Sequence, residues 1–138
     1  MTYDAIATAI RAKFKTDVAT PNGMIVTNDN EPPKGLKQTW YRLTVLPEVT
    51  EQMHTGTTGS RRYRITGRAV LNMFRAVGTG DGDMLDVVDL VVAAFNGATI
   101  ADPIVNFEPP PTLVGGVDQA DGWFQRTMDI PFEADVFR

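Results

Sequence analysis

Ile6, Ile10 and Phe14 recur every four residues, with Arg11, Lys13 and Lys15 set between them. That is the spacing of one apolar helical face. Thr2 stands where an N-cap would be and Asp4 falls in the first turn; Pro21-Asn22-Gly23 is a turn signal that closes the helix. Met24 to Thr27 is a short strand candidate, and the polar, proline-bearing stretch Asn28 to Gly35 reads as a loop. From Thr39 to Val49 the period drops to two. Tyr41, Leu43 and Val45 share one face of a strand, while Trp40, Arg42, Thr44 and Leu46 share the other. Pro47 removes a ladder donor, which predicts an edge or a bend at that end.

Gln52 to Arg62 is rich in glycine and hydroxyl residues and reads as the tip of a long hairpin. The return strand runs from about Arg62 to Phe74. Tyr63, Ile65, Ala69, Leu71 and Met73 share one parity; Arg62, Arg64, Thr66, Arg68, Val70 and Asn72 share the other. One face is apolar and the other carries a ladder of arginines. Gly78 to Asp83 opens a second helix, expected over Asp83 to Asn96. Its apolar residues leave only Asp83, Asp86 and Asp89 as a clear polar stripe, which predicts burial on more than one side. Asn96-Gly97 supplies its stop. Ile100 to Glu108 reads as a strand interrupted by Pro103, and Pro109 to Pro111 as a polyproline spacer. Gly115-Gly116 and Asp121-Gly122 bracket a turn region. The last strand is expected over Trp123 to Phe132, with Phe124, Met128, Ile130 and Phe132 opposed to Trp123, Gln125, Thr127 and Asp129.

The order α-β-β-β-α-β-β predicts an α+β fold. Its sheet is mainly antiparallel or mixed, both helices pack on one face, and a long hairpin joins the second and third strands. Residues 1–138 form a single domain in this reading, a normal size for one core. The absence of cysteine rules out disulfides and thiolate metal sites. A net charge of -4 argues against a generally basic, nucleic-acid-binding surface. The N-terminus shows neither a basic nor an apolar leader segment, and the longest apolar stretch, around Val87 to Phe95, is broken by Asp89 and too short to span a bilayer. The expectation is a chain made and folded in the cytoplasm, with no membrane partner.

Candidate chemistry is sparse. Gly78-Thr79-Gly80-Asp81-Gly82 invites a phosphate-loop reading. However, Asp83 occupies the position of a third glycine, no lysine follows, and Asp81 and Asp83 would repel a phosphate. A helix entry with acids in its first turn accounts for the same residues. Asp81, Asp83 and Asp86 lack the alternation and closing glutamate of a calcium loop. His54 and Ser60, the lone histidine and the lone serine, sit in the hairpin tip without an elbow motif or an orienting acid. Glu48, Glu51 and Glu108 show no pairing for acid–base work. No catalytic, cofactor-binding or metal-binding residue is expected, and no cofactor. The distinctive charged feature is Arg61, Arg62, Arg64 and Arg68, with Arg42 across the hairpin. It reads as a solvated sheet face, as a subunit contact meeting acids such as Asp86 and Asp89 of a neighbour, or as a contact to a nucleic-acid backbone.

The whole layout resembles the small tail-terminator proteins of long-tailed bacteriophages, the group similar to the lambda tail-completion protein. The stretches that carry the resemblance are the N-terminal helix, the loop Asn28 to Pro33, and Trp40 to Pro47. They continue through Gly59 to Gly67, then Gly78-Thr79-Gly80 before the apolar helix, and Asp121 to Arg126 opening a strand that ends in Ile130-Pro131-Phe132. The resemblance implies a non-enzymatic virion subunit that needs no cofactor. Such a subunit forms a hexameric ring on the head-proximal end of the tail tube, stops tube polymerisation and presents a surface to the head-neck connector proteins. DNA passes through the ring without sequence-specific binding. The residues then expected at the subunit or tube interface are Arg42, Arg61, Arg62, Arg64, Arg68, Asp86 and Asp89. Two other readings stay open: a connector or stopper of the neck, and a small phosphate-ligand-binding module built on Gly78 to Gly82.

Overall fold

The two periods separate into a helical layer and a sheet. The computed structural model describes residues 3–21, 26–27, 40–53, 61–76, 82–101, 104–118 and 123–137. Helix α1 (Tyr3–Phe14) buries Ile6, Ile10 and Phe14. It runs on as a π-helical turn (Lys15–Ala19), in which the Thr20 N–H donates to the Lys15 carbonyl at 2.8 Å. The wider turn extends the buried row to Val18 and Ala19. The expected caps and loops at Thr2 and Asn28 to Gly35 lie outside the described residues.

Among the described residues seven strands follow: β1 (Val26–Thr27), β2 (Trp40–Gln52), β3 (Arg62–Ala76), β4 (Thr99–Ile100), β5 (Ile104–Asn106), β6 (Thr112–Asp118) and β7 (Trp123–Phe137). They form one sheet of order β1-β2-β3-β7-β5-β4, with β6 also paired to β7. Only β1 on β2 is parallel among these pairings. The long antiparallel ribbon β2–β3–β7 is its spine. Helix α2 (Gly82–Phe95) lies between β3 and β4 in the chain. The fold is therefore the expected α+β arrangement, with a mixed, mainly antiparallel sheet and both helices on one face. A single core joins Ile6, Phe14, Val87, Val91 and Phe95 of the helical layer to Tyr41, Leu43, Ile65, Leu71, Met128 and Ile130 of the sheet.

Local features explain the spine. Register runs without a break from Trp40↔Phe74 to Pro47↔Gly67, then shifts so that Val49 faces Thr66. Glu48 is the extra residue, a bulge beside the proline that cannot donate to the ladder. Across from it, a Cβ on Gly67 would stand 2.3 Å from the Leu46 carbonyl oxygen and 2.9 Å from Pro47 Cα. The bend thus needs a residue without a side chain. Helix α2 ends at Gly97, whose φ of +69° suits glycine.

Four expectations are corrected. Helix α2 is buried on one side only: Val87, Val91 and Phe95 face the core, while Leu85 and Leu90 remain exposed. Ile100 to Glu108 is not one strand; β4 and β5 fold back on each other, Ile100 opposite Val105. Gly115 and Gly116 are not in a turn but in β6, paired with Thr127 and Arg126. The last strand does not stop at Phe132 but continues to Phe137 along the whole of β3. In addition, the residues of the expected proline spacer join β5 to β6, and Pro111 is buried.

Candidate interaction surface

The arginine ladder lies on the sheet face away from the helices, as its parity requires. Strand β7 runs beside it in register, with Asp135 opposite Arg64. Arg62 Nη2 donates to Asp135 Oδ2 at 2.6 Å and Arg64 Nε to Asp135 Oδ1 at 3.2 Å. Burial pushes the Asp135 carboxyl up. The hydrogen bonds and positive charges of Arg62 and Arg64 outweigh it and hold the group below its ordinary value of 3.8. Arg68 reaches Asp129 at 3.2 Å and Glu48 at 3.1 Å, a more exposed pairing. Three guanidiniums thus meet three carboxylates of the same chain, Asp135, Asp129 and Glu48. That face carries little surplus positive charge.

The rest of the face is a polar and aromatic mosaic. Trp40 stacks on Phe74 with centroids 3.9 Å apart and planes within 8°. The Arg42 guanidinium lies 5.3 Å from the centre of the Trp40 ring, an i, i+2 pair on one face. Asn72 Oδ1 accepts from Gln125 Nε2 at 2.9 Å and from Thr127 Oγ1 at 3.0 Å. Arg61 is exposed where β3 begins.

The helical layer presents the other side of the molecule. Asp86 and Asp89 are exposed on the outer side of α2, between Leu85 and Leu90. Within one molecule the sheet therefore lies between the arginines and these aspartates, which the sequence suggested could meet only between copies. Beside α1 an open groove of about 400 Å³ is lined by Ala9, Ala12, Lys13, Thr16, Asp17 and Ile100. Lys13 Nζ bonds Asp17 at 2.7 Å and sits 5.3 Å from the centre of the Phe95 ring. At the other end of α1, the Tyr3 hydroxyl and Thr50 Oγ1 share a hydrogen bond of 2.7 Å, tying the helix to β2.

The glycine turn at 77–81 and the hairpin tip at 54–60, with His54 and Ser60, lie outside the described residues, as does the Asp83 side chain. Glu51 and Glu108 are exposed singly. Among the described residues no group of three or more histidine, aspartate or glutamate side chains could hold a metal ion, and no helix is long and apolar enough to cross a membrane. Sequence reasoning missed Asp135, the carboxylate that organises two arginines. Its signal was the alternation Phe132, Ala134, Val136, which extends the last strand and places Asp135 beside the ladder.

No family model matches the chain, and no curated protein matches it. Fourteen solved chains match its fold. One of them, which bears a sequence identifier instead of a functional name, superposes with a TM-score of 0.68 at 15% identity, over 96% of this chain and 97% of its own. The likeness extends end to end and concerns the fold alone.

Proposed function

We propose that this chain is a structural subunit of a bacteriophage tail, a tail terminator that works by assembly and not by catalysis. In this reading copies of the chain form a ring, of six subunits by the resemblance, on the head-proximal end of the tail tube. The ring stops addition of tube protein and offers its far side to the head-neck connector. DNA crosses the central opening without base-specific contacts, and no cofactor takes part.

The observation that supports this most is the outer half of β2. Past the Glu48 bulge every residue from Glu48 to Met53 is exposed, including Val49 and Met53, with Leu46 exposed just before it. A strand half this open, bearing apolar side chains, is an edge that a soluble monomer ordinarily blunts. A neighbouring subunit or the tube rim would cover it.

The test is tube growth. Purified chain added to elongating tail tubes should halt elongation at a stoichiometry of a few copies per tube end. Tubes that lengthen at an unchanged rate in a molar excess of the chain would remove the terminator assignment.

A further inference from the structure

We draw no further inference here: the strongest candidate, the exposed apolar patch that Leu46 and Val49 of β2, Ile104 of β5 and Phe137 of β7 form on the arginine-bearing face of the sheet, carries nothing, because nothing in the structure shows what covers it.

Discussion

A side chain at position 67 would drive its Cβ to 2.3 Å from the Leu46 carbonyl oxygen and 3.0 Å from Phe132 Cζ. A β-carbon at position 97 would meet nothing within 4 Å, but the φ of +69° there is one that L side chains rarely adopt. The two glycines answer to different forces, contact in one case and torsion in the other. Gly67→Ala should cost about 1–3 kcal/mol, because backbone on β2 must move. Gly97→Ala should cost only about 1 kcal/mol, with no repacking. Urea unfolding of both variants checks the order. Asp135 makes a pH prediction. Its folded value lies below 3.8, so as pH falls the unfolded chain takes up the proton first. Its stabilisation is complete above about pH 4 and is lost on further acidification through the folded value. Asp135→Asn should lower stability at neutral pH and flatten the acid limb of the stability–pH curve; an acid limb identical to the native one would show that the Arg62–Asp135–Arg64 cluster does not contribute.

At the scale of elements, packing across the core links parts of the chain that are far apart in sequence. Phe95 of α2 meets Phe107 edge-on, centroids 4.9 Å apart at 80°, and Lys13 of α1 lies over the Phe95 ring. Phe95→Ala opens a fully buried site shared by three segments and should cost about 3–5 kcal/mol in equilibrium unfolding. Elements whose two faces differ were legible in the sequence. The parity of β3 placed Ile65, Ala69, Leu71 and Met73 in the core and the arginines opposite, because a sheet with one covered face writes its alternation into the chain. Strand β6 was not legible: Gly115 and Gly116 have no side chains to alternate, and their extended backbone is imposed by pairing with β7. The π-helical turn was equally hidden, since its wider pitch keeps the same apolar spacing. For α2 the apolar composition was read as burial on two sides, but this molecule covers only one. Composition records how much apolar surface a helix has, not whether its own chain will cover it.

At the scale of the molecule, the sheet satisfies its own charges on one side and the helical layer leaves leucines and carboxylates outside on the other. The sequence left the arginines open to three readings, a solvated face, a contact to acids of a neighbour or a contact to a nucleic-acid backbone. Within one molecule β7 runs 15 residues and brings Asp129 and Asp135 alongside them, a pairing between residues more than 60 positions apart that no local pattern encodes. Asp86 and Asp89 keep their place on an exposed surface. The apolar side chains left exposed include Leu46, Val49 and Met53 on the outer half of β2 and Leu85 and Leu90 on α2. We propose that the chain assembles as a ring on a tube end. Cryo-electron microscopy of tail tubes incubated with the purified chain tests it directly. The account predicts a closed ring of this fold, six copies by the resemblance, at one end of each tube and nowhere along its length. Tube ends that remain bare at saturating protein would contradict it.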